Sequence, residues 1–425
     1  MAQRAIRECH AKKLLATYLT EISGGKFAYE GKIVLVDGQT DFEAVKRDNP
    51  WLLTDKLVVK PDQLVGKRGK NNLLLLNATI DEAHAFISSN LNKEVTIGTT
   101  TGVLTHFAIE PFIPHQQEEE YYISITTERD KDVIAFSTQG GVEIEDNWEH
   151  VVKIPAPIGQ ELSVDSVRGY FPASLAEDRK QAVAEFTVVL YKLFADLGFT
   201  FIEVNPLVLT GGKFYPLDLK SRLDDTAAFE QAKKWGNLEF PAPFGQKLSA
   251  EEEAIKRLDE KSGSSLKLTV LNPKGRIWSL VAGGGASVVY ADTIADLGFA
   301  NDLANYGEYS GNPKTDETYE YTKTVLDLMT REKDVQGRSK VLLIGGGIAN
   351  FTDVAKTFTG IIQALKDYRQ KLIDTNVKIY VRRGGPNYQE GLKKMKKLGQ
   401  ELGVTIEVYG PETHMTKIVS MALAS

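Results

Sequence analysis

The chain has 425 residues, of which 42% are hydrophobic and 25% are charged, and its formal net charge at pH 7 is -6. This length predicts two or three domains, each large enough to form its own core. The negative charge argues against nucleic acid or an anionic membrane surface as the main partner. No apolar stretch approaches the roughly 20 residues that a membrane-spanning helix needs.

Cysteine content and the composition of the first residues indicate the compartment. Cys9 is the only cysteine, so an intramolecular disulfide framework is excluded. The first thirty residues are too polar for a secretory signal. Together these features predict a cytoplasmic location.

The first predicted elements are a helix over residues 4–20 and strands over residues 32–36 and 56–60. Leu14, Leu15 and Tyr18 give the helix an apolar face. Lys60 ends the second strand, and residues 66–70, Gly-Lys-Arg-Gly-Lys, follow it as a short basic loop. Such a loop suits a flap over phosphates, although the composition alone is also typical of a solvated turn.

A polar hairpin is the next candidate site, after predicted strands at 106–113, 121–127 and 133–138 and a helix at 178–197. Residues 201–209 and 213–219 read as two strands joined by Thr-Gly-Gly. Glu203, Asn205 and Asp218 are polar residues inside these apolar runs. One carboxylate and one amide oxygen, completed by substrate phosphates, could hold Mg²⁺. The alternative is a hairpin whose polar groups face water.

A change of pattern after residue 233 predicts a domain boundary. Residues 235–245 are rich in Pro and Gly, and residues 249–261 form a charged helical segment. We therefore predict a first domain over residues 1–240, a linker over 241–265 and a second domain over 266–425.

The second domain repeats strand, glycine-rich turn and helix. Strands are predicted at 276–282, 340–344, 378–381 and 405–409, which indicates an α/β doubly wound parallel sheet. Ligands bind such sheets at the carboxyl ends of the strands, where helix amino termini favour anions. Asn350, Thr352 and Arg383 follow these strand ends, and their side chains suit a polycarboxylate. Glycines that serve only tight helix packing are the alternative. No loop has the dinucleotide fingerprint.

Two segments of the hairpin carry a family resemblance. Ile-Glu-Val-Asn-Pro-Leu at 202–207 and Leu-Asp-Leu-Lys at 217–220 resemble the Mg-ATP signature of the ATP-grasp domain in succinyl-CoA synthetase beta subunits. The chain is still more similar to the amino-terminal region of the ATP citrate lyase family, over essentially its whole length. The resemblance implies an ATP-grasp domain followed by a flavodoxin-like, CoA-ligase-type domain.

The resemblance also implies roles for individual residues. ATP would be bound by Lys60, Arg68, Gly69, Glu110, Pro111, Ile113 and Glu120. Magnesium would be bound by Asn205 and Asp218, and a second cation by Asp259, Ser262 and Ser264, although a helix end followed by a turn is the other interpretation of that segment. Citrate would be bound by Gly311, Asn350, Thr352, Tyr368 and Arg383. A phosphate or phosphohistidine would be bound by the loop of Gly283, Gly284, Gly285, Ala286 and Ser287.

Some parts of the family's reaction have no counterpart in this sequence. None of the six histidines, at positions 10, 84, 106, 115, 150 and 414, lies in a Gly-His loop like the one that carries the family's phosphohistidine. The resemblance therefore implies a large partner subunit that supplies the phosphohistidine, binds CoA and cleaves citryl-CoA. The chain would be the small subunit of such an enzyme or the corresponding part of a single-chain one, and it would bind ATP, Mg²⁺ and citrate.

Three other functions fit the same residues. The first is the small subunit of citryl-CoA synthetase, and the second is a succinyl-CoA synthetase beta subunit. The third, from a different class, is a nucleotide-binding regulatory subunit without chemistry of its own.

Overall fold

The computed structural model describes residues 3–141, 144, 148–347 and 351–424. The chain forms two compact units, Met1–Lys247 and Leu248–Ser425. The sequence predicts a linker over residues 241–265, whereas in the structure residues 250–261 of this segment form a helix of the second unit. Within the described ranges no helix is long and apolar enough to cross a membrane.

The first unit combines thirteen strands with six helices in its described part. Its strands are β1 (Gln3–Ile6), β2 (Val34–Asp37), β3 (Leu57–Pro61), β4 (Leu75–Ala78), β5 (Glu94–Ile97), β6 (Thr100–Val103), β7 (His106–Pro111), β8 (Glu120–Thr127), β9 (Lys131–Ser137), β10 (Val152–Pro157), β11 (Phe199–Thr210), β12 (Lys213–Pro216) and β13 (Leu219–Asp224). Its helices are α1 (Glu8–Ile22), α2 (Phe42–Asp48), α3 (Ile80–Asn90), α4 (Val164–Arg168), α5 (Glu177–Asp196) and α6 (Ala228–Trp235).

Antiparallel pairing organises these strands into two main sheets. The larger sheet has the order β1-β13-β11-β8-β9-β10, with β12 paired to β11, and the smaller has the order β2-β7-β3-β4. The predicted first helix was placed too early, because residues 3–6 pair with β13 as a strand. The backbone of α1 therefore starts at Glu8, where the Asp62 carboxylate accepts hydrogen bonds from the N–H groups of Glu8 and Cys9.

The polar hairpin differs from the prediction at its second strand. β12 pairs with β11 as far as Pro216, and β13 then pairs with a different part of β11, beginning at Leu219. Asp218 lies in the step between the two strands, so its side chain is not fixed by strand alternation. The Asn205 N–H donates to the Asp218 carbonyl over 2.9 Å, which keeps both residues side by side.

The second unit alternates strands and helices. Its elements are α7 (Ala250–Lys261), β14 (Ser265–Val270), β15 (Ile277–Ala282), α8 (Gly284–Ile294), β16 (Asn305–Ser310), α9 (Thr315–Met329), β17 (Lys340–Gly346), α10 (Val354–Asp367), α11 (Arg369–Asp374), β18 (Val377–Arg382), α12 (Tyr388–Leu402), β19 (Ile406–Tyr409) and α13 (Lys417–Leu423).

The sheet of the second unit confirms the predicted parallel architecture. Its order is β14-β16-β15-β17-β18-β19, and only the edge strand β14 runs antiparallel. β15 and β17 are buried along their whole length, as expected for strands with both faces covered. The carboxyl ends of β16, β15, β17 and β18 consequently meet at one edge.

Candidate functional sites

A cavity of about 690 Å³ in the first unit collects the residues predicted to bind ATP and magnesium. It lies where β3, β7, β8 and the β11–β12 hairpin approach one another, with the basic loop after β3 at its rim. The predicted residues that line it are Lys60, Arg68, Gly69, Glu110, Pro111, Ile113, Glu120, Asn205 and Asp218. Elements far apart in the sequence therefore bring this predicted set together.

Apolar side chains supply another part of the cavity wall. Leu74, Leu76 and Trp148 line it and are 36%, 53% and 50% exposed. Exposed apolar side chains in a concave site suit a flat aromatic ligand such as a nucleobase. Sequence reasoning missed these residues, because an isolated Leu or Trp carries no positional signal.

Two buried ammonium groups share the same acceptors below this cavity. Lys60 Nζ lies 2.6 Å from Glu8 Oε1, 2.7 Å from Glu110 Oε1 and 2.6 Å from the Leu217 carbonyl oxygen. Lys12 Nζ lies 2.8 Å from Glu8 Oε1, 2.6 Å from Glu110 Oε2 and 3.0 Å from the same Leu217 oxygen. Lys12 thus shares with Lys60 the neutralisation of Glu8 and Glu110.

Glu8 connects this pair of lysines to the predicted metal ligand. Its Oε2 atom lies 2.9 Å from Arg68 Nη2, and the same nitrogen lies 2.6 Å from Asp218 Oδ1. Burial alone would raise the pKa of Glu8, but Lys12, Lys60 and Arg68 outweigh it and hold this pKa far below its ordinary value. Glu8 and Lys12 were missed in the sequence, although they orient residues that were predicted.

Asn205 and Asp218 offer oxygen ligands beside the basic loop. The Asn205 Oδ1 atom accepts a hydrogen bond from the Gly141 N–H over 2.6 Å, and the side chain of Asp218 is 36% exposed. No cluster of three or more His, Cys, Asp or Glu residues among the described residues could hold a metal by itself. One carboxylate and one amide oxygen fit Mg²⁺ only together with nucleotide phosphates.

The carboxylates of Glu120 and Glu110 differ in how many of their oxygen atoms are already bound by protein side chains. Glu120 Oε1 lies 3.0 Å from Nε2 of His115, a cavity residue that sequence reasoning missed. The Glu110 carboxylate is bound to both buried lysines. Glu110 can therefore contribute mainly its backbone groups to a bound base. The Glu120 carboxylate can instead bind a ligand once it gives up its partially exposed contact with His115.

Replacing Lys12 with Met should weaken nucleotide binding about tenfold and lower the free energy of unfolding by about 3–5 kcal/mol, because it leaves an uncompensated buried carboxylate. Burial lowers the pKa of Lys12, but Glu110 and Glu8 outweigh burial and raise it. A lysine whose pKa is raised in the folded state stabilises that state at every pH below the pKa it has in the unfolded chain. The difference in free energy of unfolding between the variant and the native chain should therefore be constant from about pH 6 to 9.

Titration with Mg-ATP and urea unfolding at several pH values measure these effects. Lys13→Met is the matched control, since Lys13 neighbours Lys12 on α1 but is exposed. A folded Lys12→Met chain with native nucleotide affinity would contradict the expectation.

The predicted second cation site in the second unit is not supported by its contacts. Asp259 Oδ1 accepts from the Leu266 N–H over 2.7 Å, and Oδ2 lies 2.5 Å from Lys267 Nζ. Ser262 Oγ accepts from the Ser264 N–H over 2.9 Å. The carboxylate is already neutralised by a lysine, so the segment is better described by the alternative, a helix end followed by a turn.

The glycine loop after β15 leads into α8 as predicted. Gly283 has a φ of 98° and directly precedes the helix, which begins at Gly284; Gly285 and Ala286 continue its first turn. Ser287 is buried and its hydroxyl donates to the Gly307 carbonyl over 2.6 Å, so this hydroxyl serves the fold. The first-turn N–H groups of α8 remain the part of the loop able to face an anion.

Arg383 is a fully buried cation at the carboxyl end of β18. Its exposure is 0%, and none of its three guanidinium nitrogens has a hydrogen-bond partner among the residues that the structure describes. The neighbouring Arg382 instead donates to the carbonyl oxygens of Thr413, Gly346 and Pro411. Arg382 therefore ties loops together, whereas Arg383 has the chemistry of a site for an anionic ligand.

Two other predicted citrate residues lie at the same edge of the sheet. Thr352 is buried just before α10, and Gly311 directly follows β16. The Asp353 N–H donates to Asn312 Oδ1 over 3.4 Å, which joins the two loops. Asn350 lies outside the described residues.

Tyr368 is not brought to this edge. It follows the carboxyl end of α10, and its hydroxyl lies 3.4 Å from Asp327 Oδ1 on α9. The 14 residues of α10 span about 21 Å, so one citrate-sized ligand cannot contact both Tyr368 and Thr352. The sequence alone did not show that Tyr368 follows the carboxyl end of α10, whereas Thr352 precedes its amino end.

Gly346 makes room for Arg383. A Cβ atom on Gly346 would lie 1.8 Å from Arg383 Nη1 and 2.9 Å from its Cζ. Gly346→Ala should therefore displace the guanidinium and reduce the affinity for citrate, the predicted ligand, at least about tenfold. Isothermal titration with citrate measures this, with Gly347→Ala as the control, because a Cβ there meets only Ala286 Cβ at 3.8 Å. Equal losses in both variants would contradict a specific role for Gly346.

Comparisons with known proteins agree with this division of sites. A family model described as the ATP-citrate synthase ATP-grasp domain matches residues 2–235, and one described as ATP citrate lyase citrate-binding matches residues 246–425. The ATP-citrate synthase alpha chain protein 2 of Arabidopsis thaliana is 49% identical over 100% of this chain and 98% of its own length.

The other matches include animal and archaeal proteins. The ATP-citrate synthase of Homo sapiens is 48% identical over 100% of this chain, which spans 38% of that protein. A solved structure of ATP citrate lyase from Methanothrix soehngenii, in complex with citrate and coenzyme A, has a TM-score of 0.89 and 52% identity, and the match covers 100% of both chains.

Proposed function

Since the chain belongs to the ATP citrate lyase (ATP-citrate synthase) family, we propose that it binds Mg-ATP in its ATP-grasp unit and citrate in its second unit. In this role it takes part in the conversion of citrate, ATP and CoA to acetyl-CoA, oxaloacetate, ADP and phosphate. The observation that carries the proposal is Arg383, a buried guanidinium without a partner among the described residues.

The citrate site follows from the charge of Arg383. A buried cation is costly unless an anion with good hydrogen-bond geometry accompanies it. A carboxylate of citrate can accept two parallel hydrogen bonds from a guanidinium. Thr352, Gly311 and the amino terminus of α8 lie at the same edge of the sheet and supply further polar groups.

The nucleotide site follows from the cations of the first cavity. Lys60, Arg68 and the lysines of the basic loop face the place where phosphates would lie. Catalysis of phosphoryl transfer rests largely on positioning and charge neutralisation. Magnesium, held through Asp218, Asn205 and the phosphates, would add to that neutralisation.

A larger assembly completes the proposal. The chain spans almost the whole plant alpha chain but little more than a third of the single-chain human protein. We assign the phosphohistidine, CoA binding and citryl-CoA cleavage to a large partner subunit. The alternative of a citryl-CoA synthetase small subunit uses the same residues, and a cytoplasmic location stays a prediction.

Isothermal titration of the full chain with citrate tests the proposal directly, with succinate and tricarballylate as comparison ligands. We expect selective citrate binding that does not depend on added nucleotide. A chain that binds Mg-ATP but none of these carboxylates would contradict the assignment of citrate to this chain.

A further inference from the structure

Tyr309 carries a second buried polar group beside Arg383. Its side chain is 1% exposed, and its hydroxyl has no hydrogen-bond partner within the described part of the chain. The neighbouring Tyr321, whose ring centroid lies 6.3 Å away, instead donates its hydroxyl to the Lys267 carbonyl over 2.7 Å. Buried hydroxyl groups are normally hydrogen-bonded, so a partner for the Tyr309 hydroxyl has to be found outside the described residues.

The register of the sheet places Tyr309 and Arg383 in one row across four strands. Tyr309 on β16 is opposite Ala282 on β15, and Ala282 is opposite Gly346 on β17. The guanidinium of Arg383, just after β18, lies directly over Gly346. Two large polar side chains thus flank two small residues, and three strand spacings of about 4.8 Å put their Cα atoms about 14 Å apart.

The Tyr309 hydroxyl is near enough to Arg383 to be influenced by its charge. Burial raises the pKa of Tyr309, and the Arg383 guanidinium opposes that rise. Because the net pKa stays above its ordinary value, the hydroxyl keeps its proton at neutral pH and can donate it. A neutral donor and a cationic donor thus lie in the same row of the sheet, on either side of Ala282 and Gly346.

We propose that the Tyr309 hydroxyl is a further citrate contact, which donates a hydrogen bond to a carboxylate oxygen of the ligand held by Arg383. This inference rests on the proposed citrate function. The hydroxyl has no partner among the described residues because its partner is the substrate. Tyr309 therefore contributes to affinity for the polycarboxylate and adds little to the stability of the empty fold.

Two phenylalanine variants of the full chain test the assignment. Tyr309→Phe should weaken citrate binding about tenfold, the loss expected for one hydrogen bond to a charged group, with an unchanged or higher thermal midpoint. Tyr321→Phe should lower the thermal midpoint, because it removes a hydrogen bond to the backbone, and leave the citrate Kd unchanged. Mg-ATP binding should match the native chain in both variants.

The outcomes separate this inference from the proposed function. Native citrate affinity in Tyr309→Phe, together with lost binding in Arg383→Met, would overturn the role of Tyr309 and leave the citrate site in place. A lower thermal midpoint in Tyr309→Phe would overturn it too, since the hydroxyl would then have a protein partner. Absence of citrate binding in the native chain would instead overturn the proposed function.

Discussion

Replacing Arg383 with Met should reduce citrate affinity at least about 100-fold and, at the same time, stabilise the ligand-free chain. The loss of affinity follows from removing two charge-assisted hydrogen bonds to a carboxylate. The gain in stability follows because Arg383 is fully buried without a partner among the described residues. Relieving that desolvation should raise the free energy of unfolding by about 1–3 kcal/mol.

Arg382→Met is the matched control for this prediction. Arg382 is as deeply buried as Arg383 but donates to three carbonyl oxygens. Its replacement should lower the free energy of unfolding, since it leaves those oxygens without a donor. Citrate titration and urea unfolding of both variants measure the contrast. If Arg383→Met lowers the free energy of unfolding of the ligand-free chain as Arg382→Met does, Arg383 has a structural role and does not form an anion site.

The opposite behaviour expected of two adjacent arginines also shows where sequence reasoning stops. The strand and glycine-loop alternation predicted the parallel sheet, because each buried strand is a short apolar run followed by a turn. That topology was enough to place Thr352 and Arg383 at one edge. The topology alone does not distinguish Arg382 from Arg383, and it was the family resemblance that selected Arg383. The hydrogen bonds of Arg382 depend on where the neighbouring loops return.

The nucleotide cavity divides in the same way between predictable and unpredictable residues. Lys60 and Asp218 belong to local motifs, which predicted them as ligand contacts, and both line the cavity. Glu8 and Lys12 form an i, i+4 pair on α1, a spacing that occurs on any solvated helix face. Only the packing of α1 near β3 and β7 shows that this pair is buried. It also shows that Lys12 and Lys60 contact the same two carboxylates, those of Glu8 and Glu110.

Tyr368 and Asp259 illustrate a related limit, because each has a partner away from its predicted site. Each was placed at a site by its position in a motif, and each has a partner elsewhere in the fold. Lys267 on β14 neutralises Asp259, and the length of α10 carries Tyr368 away from Thr352. Contacts between distant elements, which no local pattern encodes, decide both cases.

Changing Asp218 to Asn should lower ATP-dependent phosphorylation of the large partner subunit at least about 100-fold, the scale of losing one electrostatic contact to the transition state. Asp218 Oδ1 lies 2.6 Å from Arg68 Nη2, so each group neutralises the other. Nucleotide phosphates can replace Asp218 as the partner of Arg68, which frees the carboxylate for Mg²⁺. An amide cannot balance either cation.

Phosphorylation of the large subunit by the reconstituted complex measures this effect, and citrate titration of the variant should be unchanged. Asp225→Asn is the control, because Asp225 pairs with Arg4 at 3.2 Å and does not line the cavity. An enzyme must lose phosphoryl transfer when its metal ligand is removed, whereas a regulatory nucleotide-binding subunit would lose only its response to ATP. Full turnover of the Asp218→Asn complex would therefore decide for the regulatory alternative and against catalysis at this cavity.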